Sequence, residues 1–216
     1  MVTTLMTQAV YSGDETIKDN VSAETYKLLE ERVKKLGLGS MDFLKKSKPW
    51  MLGSMIMGLE LQAMGLDMNH GVDKYFMDRA GKNPKQKIVE LESLDFQMKL
   101  FMGMSKKEAE MFLLTVLKEV KAMRNQMNEL IDAGSKGDAE LLNKLMTSGF
   151  SEEEGLEEFG KRLLDDRNLS MTKKLLKMMN ENKKKTYFVM VGAGHMVGNK
   201  GLVALLEKEG YKVTQK

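Results

Sequence analysis

The sequence predicts an α/β fold that is rich in helix and holds a small, mainly parallel sheet, and three observations carry that expectation. Only 2 prolines interrupt 216 residues in which long stretches combine Lys, Glu, Leu and Met, all strong helix formers. Three brief apolar, β-branched runs, at 88–91, 187–191 and 211–215, stand among turn residues and read as strands. The last two are joined by a helical pattern, and a strand–helix–strand crossover within one sheet is parallel and right-handed.

Each element has its own signal. In "VSAETYKLLEERVKKLGLG", Ser22 is placed to N-cap a helix with Tyr26, Leu28, Leu29 and Val33 on one side and a glycine at its end. "MDFLKKSKPWMLGSMIMGLELQAMGLD" predicts a short helix, a break at Pro49, and a second helix apolar nearly all round and therefore buried. "HGVDKYFMDRAGKN" predicts a helix bounded by Gly71 and Gly81, and "QKIVELES" is the first strand. Ser93 opens "SLDFQMKLFMGM". Ser105 with Glu108 then makes a capping box ahead of the longest helix, "SKKEAEMFLLTVLKEVKAMRNQMNELIDAG". Residues 135–149 predict a short amphipathic helix, and Ser151 with Glu154 repeats the capping box before "EEGLEEFGKRLLDDRNLSMTKKLLKMMNEN". The chain closes with a strand, a loop, a helix over 197–209, Gly210 and a last strand. A large helical insertion, about 93–180, thus separates the first strand from the other two. Three short parallel strands cannot cover themselves, because buried parallel strands sit inside a wider sheet. Either the sheet is completed elsewhere, or strands belonging to it are absent from this chain.

Composition narrows the function classes. With 42% hydrophobic residues the chain can fill a core, and 21 methionines against 6% aromatics make that core Met- and Leu-rich. The net charge is +3, from 34 basic and 31 acidic residues of interspersed sign, so no basic block marks a nucleic-acid footprint. The absence of cysteine excludes disulfides, thiolate metal sites and a cysteine nucleophile. No apolar run reaches transmembrane length, and "MVTTLMTQAVYSGDETIKDN" lacks a basic segment followed by an apolar one, so the chain reads as soluble with no visible export signal. Met123 with Met127, or Met51, Met55 and Met57, would suit a soft-metal or peptide-binding surface. With no cysteine and 2 histidines, core packing is the preferred reading.

The chemistry concentrates in "TYFVMVGAGHMVGNKGLVALLEKEGYKV", where a strand runs into Gly192-Ala193-Gly194-His195 and a helix follows. An imidazole on a strand-end loop facing a helix N-terminus can bind a metal, act as a general base, or merely cap the loop. Gly192 and Gly194 would let the backbone turn sharply and keep the place open. Gly192-x-Gly194-x-x-x-Gly198 nearly makes a dinucleotide fingerprint, but only one strand follows and no acid lies at its end. That reading is rejected. Glu92, ending the first strand, can coordinate a metal, orient His195 or cap the next helix, and Glu90 shares its face of the strand. Arg167 follows two acids on a helix, which fits a surface salt bridge or an inward partner for a carboxylate. Asp73 suits the first turn of its helix, and His70 reads as a surface or capping residue.

These residues also carry a resemblance. The closing strand, Gly192 to His195, Gly198 and "GLVALLEKEGYKV" resemble the end of the TraB/GumN family, whose broader group includes the Tiki metalloproteases. "ELQAMGLDMNHGVDKYFMDRA", "KQKIVELESLDFQMKLF" and "LLDDRNLSMTKKL" resemble three further family segments in the same order, and "DNVSAETYKLLEERVKKLGL" fits the helix before them. The resemblance runs from about Leu5 to the end. It implies His195 as a metal ligand, Glu92 and Arg167 as catalytic residues, and Gly192, Gly194 and Asp73 as binding residues. It implies a divalent ion (Mn, Co or Zn, left open), a peptide or protein substrate, and hydrolysis in which the ion acts as Lewis acid. The alternative it implies is a non-catalytic peptide-binding or regulatory protein, as peptide-pheromone inhibition in the TraB branch suggests. Family members open with a strand ending in a first Gly-x-x-His and a later strand bearing a Glu, and neither pattern is found here. The expectation is therefore one domain over 1–216 that lacks its N-terminal strands, is a poor enzyme by itself, and self-associates through the open sheet edge. An exported or lipid-anchored location is implied by the family alone.

Overall fold

The computed structural model describes residues 7–151 and 155–216. Among them are nine α-helices: α1 (Ala23–Lys35), α2 (Pro49–Ala63), α3 (Val72–Gly81), α4 (Leu94–Met102), α5 (Lys106–Lys136), α6 (Ala139–Ser151), α7 (Glu157–Leu163), α8 (Asp165–Glu181) and α9 (Leu202–Lys208). Short 3-10 turns at Ile17–Asp19, Met41–Phe43, Met68–His70 and Ala193–His195 complete the regular structure.

The local signals act as chemistry requires. The Ser22 hydroxyl accepts from the Thr25 N–H at the start of α1. Gly37, at φ +67°, ends that helix in a left-handed turn that leaves the Leu38 N–H bonded to the Val33 carbonyl. Pro49 begins α2 rather than breaking a helix, as befits a residue with no N–H to offer. The "MDFLKK" stretch makes only the 3-10 turn. The Ser105–Glu108 capping box is present in both directions at the head of α5. The second box involves Glu154, which lies outside the described residues, as does the side chain of Met123. The long segment after it is two helices, α7 and α8, interrupted at Leu164 (φ −115°, ψ −67°).

The chain divides into two compact units. One comprises residues 1–66, 94–125 and 153–159 and the other 67–93, 126–152 and 160–216. The first is cored by Ile17, Leu29, Val33, Leu52, Ile56, Leu113, Val116 and Leu117, with Met55 and Met57 against them. Beside it Trp50, Ala9 and Ala109 pack with Met51, Phe101 and Phe112, and Phe159 is fully buried against the Phe101 and Phe112 rings. The methionines of α2 are thus core packing.

The second unit is built around α8. Met171 and Leu175 bury against Leu202 of α9, with Leu91, Met179 and Val191 at the margin. This arrangement overturns the expected sheet. Among the described residues there is no strand at all, only one isolated antiparallel bridge between Val10 and Ser47 in the first unit. The runs at 88–91, 187–191 and 211–215 carry no ladder. The reason is that a strand is stabilised by its neighbours' backbone groups, and short lone strands are marginal. The first two of these segments lean on α8 instead. Lys174 Nζ donates to the Glu90 carbonyl, the Tyr187 hydroxyl donates to the Met178 carbonyl at 2.8 Å, and Leu91 and Val191 join the helix core. Ile88, Val89, Phe188 and Val189 stay exposed, where a sheet would have covered them.

Candidate functional site

All of the site geometry lies in the second unit. The first turns of α8 bring Arg167, Asn168, Met171, Thr172 and Leu175 forward, spacings that place the last four on one helical face. Asp165 and Asp166 begin the helix, where negative charge meets the positive end of the dipole. The loop after the second extended run folds back onto this face. Gly192 leads into a 3-10 turn, Ala193–His195, in which the His195 N–H donates to the Gly192 carbonyl at 2.9 Å, and α6 packs on that turn.

His195 is buried, and its Nδ1 lies 2.7 Å from Asn168 Oδ1. The Asn168 side-chain N–H donates to the Lys200 carbonyl at 2.9 Å, so one amide touches both ends of the loop. Lys200 Nζ also pairs with Asp165 Oδ2, a second tie between the loop and the start of α8. Burial holds the imidazole below its ordinary value of 6.5, the Arg167 charge adds to that lowering, and the Glu92 charge opposes it.

Arg167 and Glu92 form a closed pair. Arg167 Nε donates to Oε1 at 3.1 Å and Oε2 at 2.9 Å, while its terminal N–H reaches Oε2 at 2.7 Å. A further N–H donates to the Leu163 carbonyl at 3.1 Å. Both side chains are largely withdrawn from water, unlike the exposed salt bridge the sequence also allowed, so each charge depends on the other for its solvation.

The structure therefore brings together His195, Arg167 and Glu92, whose charges act on the same imidazole. Glu90 does not join them: it is exposed, because without a ladder the alternation of a strand no longer governs which way it points. Asp73 is exposed in the first turn of α3 and makes no hydrogen bond or ion pair with the other three. His70 is exposed, with Nδ1 3.0 Å from Asp67 Oδ2. The glycines that the backbone requires lie further along the loop. Gly192 sits at φ −60°, a conformation open to any residue, whereas Gly198 has φ +79°. A Cβ on Gly201, the N-cap of α9, would run into the Val197 and Met196 carbonyls.

Asn168 is the residue that reading the sequence overlooked. Its signal was its position directly after Arg167, one turn ahead of Met171. Chemically, the described residues offer a neutral imidazole with one ring nitrogen engaged and a carboxylate already balanced by a guanidinium. A catalytic divalent-metal centre needs about three protein donors, and no group of three His, Asp or Glu able to hold an ion exists among the described residues. By themselves, these residues do not make a metal centre.

The model of the TraB/PrgY/gumN family matches residues 1–215. The chain belongs to that family. Among individual relatives of this TraB-family chain, the Metalloprotease TIKI homolog of Amphimedon queenslandica is 36% identical over 79 residues, 37% of this chain and 13% of that protein. Metalloprotease TIKI2 of Xenopus tropicalis is 36% identical over 55 residues, 26% of this chain and 10% of its own length. The chain thus spans only about a tenth of the length of these relatives. No solved structure matches it. No helix among its described residues is long and apolar enough to cross a membrane.

Proposed function

We propose that this TraB-family chain carries part of a peptidase-like hydrolase site, with His195 as its reactive side chain and the Arg167–Glu92 pair as the charged wall beside it. The observation that carries the reading is the buried imidazole with Nδ1 held by Asn168 and with no hydrogen bond to Nε2 among the described residues. Similarity to proteins named as metalloproteases supports the reaction class and a peptide or protein substrate. Metal dependence (Mn, Co or Zn) belongs to the proposal through the family, and the remaining donors would have to come from outside the residues described. Gly192 and Gly194 would shape the approach to His195, while Asp73 would act only from the surface. Self-association is retained, now through the exposed runs around Ile88 and Phe188 rather than a sheet edge. An extracytoplasmic location rests on the family alone.

A second reading, a peptide-binding or regulatory protein without catalysis, is supported by a cleft of about 490 Å³ whose lining includes Leu175, Met179, Tyr187, Val189, Lys183 and Lys185. The deciding experiment uses a family member that carries the opening Gly-x-x-His and Glu strands. Replacing its counterpart of His195 by Ala is expected to abolish divalent-metal binding, measured by calorimetry, and peptide hydrolysis, while leaving the Tm of the metal-free protein almost unchanged. Metal affinity and turnover equal to the unmutated protein overturn the assignment. This chain alone is expected to bind no divalent ion stoichiometrically, and tight one-to-one binding would show that its site is not partial.

A further inference from the structure

We infer that Asn168 is a positioning residue: it holds His195 as the tautomer protonated at Nδ1, leaving the lone pair on Nε2. The inference takes its functional meaning from the reading of His195 as the reactive side chain.

Which atoms can donate decides the tautomer. A backbone carbonyl only accepts, so the Asn168 atom 2.9 Å from the Lys200 oxygen must be the amide nitrogen. Turning the amide over would set two oxygens against each other. That choice leaves Oδ1, which only accepts, 2.7 Å from His195 Nδ1, and Nδ1 must then carry the proton. A neutral imidazole has one N–H, so Nε2 is left unprotonated. In water, histidine prefers the opposite tautomer, with the proton on Nε2. Here both partners are buried, at 2% exposure for Asn168 and 8% for His195, so water competes poorly for either group. Asn168 is itself fixed by its helix: its N–H donates to the Leu164 carbonyl at 2.8 Å and its own carbonyl accepts from the Thr172 hydroxyl at 2.7 Å. Loop, amide and helix together define which ring nitrogen is available, the role that a partner on the far nitrogen plays for reactive histidines generally.

The test is two-bond ¹⁵N–¹H correlation of the histidine ring in the chain as it stands, free of metal and peptide, above the imidazole pKa. His70→Gln removes the other ring and assigns the signals. The expected result is a dominant Nδ1–H pattern for His195, and a dominant Nε2–H pattern or an average of the two overturns the inference without any variant having to fold. Asn168→Leu, which removes the acceptor at Nδ1, is expected to shift the population toward Nε2–H. An unchanged pattern in Asn168→Leu would mean that Asn168 does not set the tautomer. Should the tautomer be as inferred while removal of the histidine leaves metal binding and hydrolysis intact, only the functional reading falls.

Discussion

Arg167 meets Glu92 side-on across 75 residues of sequence, with Nε 2.9 Å and the terminal N–H 2.7 Å from the same carboxylate oxygen. The pair fastens the first extended run to the start of α8 and sets two opposite charges beside the only buried imidazole among the described residues. Because both side chains are buried, each charge depends on the other for its solvation.

Removing one partner is therefore expected to cost more than removing both. Arg167→Ala strands the Glu92 carboxylate and should lower unfolding stability by about 3–5 kcal/mol, whereas the double change Arg167→Met with Glu92→Leu should recover much of that loss. Arg167→Lys is expected to be a poor substitute, since an ammonium cannot engage both oxygens through a rigid fork. Urea denaturation of these variants, with the single changes Arg167→Met and Glu92→Leu beside them, measures this, and a fully additive double variant would show that the two residues are not coupled.

The second expectation concerns pH. Burial, then the Arg167 charge, depresses the His195 pKa below 6.5, so the unfolded chain binds the proton more readily than the folded one. The stability this group contributes is fully present above 6.5 and is lost as pH falls through the lower folded value. Denaturation midpoints measured across the acid range should drop more steeply for the native chain than for His195→Gln. NMR titration of the ring settles the sign directly. A His195 pKa at or above the ordinary value contradicts the burial argument.

A third expectation separates the loop's glycines. Gly198→Ala forces a side chain into a left-handed conformation facing Asn143, at a cost of about 1–2 kcal/mol. Gly201→Ala meets backbone carbonyls that cannot turn aside and should cost at least as much. Gly192→Ala finds its nearest neighbour, His195 Cδ2, at 3.9 Å and should be tolerated. Gly194→Ala meets the Met146 methyl at 2.7 Å, the far end of a flexible chain, and should fall between. Thermal melts of the four variants give the order, and a Gly192→Ala loss as large as that of Gly201→Ala would contradict it.

The sequence by itself determined what is local. Ser22, Ser105 with Glu108, Pro49 and Gly37 act on backbone groups within a few residues of themselves, so the ends of their helices were legible before any packing was known. The motif around His195, and with it the family, was legible for the same reason: its residues are contiguous. Tertiary structure alone decided the rest. Whether a β-branched run becomes a strand depends on a partner's hydrogen bonds, which no property of 187–191 itself reveals, and here α8 took the place of that partner, its Met178 carbonyl accepting from the Tyr187 hydroxyl. Whether Arg167 turned outward to Asp165 and Asp166 or inward to Glu92 was a contest between an exposed and a buried pair, settled by how the loop and helix exclude water. Asn168 went unseen because an asparagine in a helix carries no periodic signal. Its importance arises only when a loop 27 residues away places an imidazole against one end of its amide and a second loop position places a carbonyl against the other.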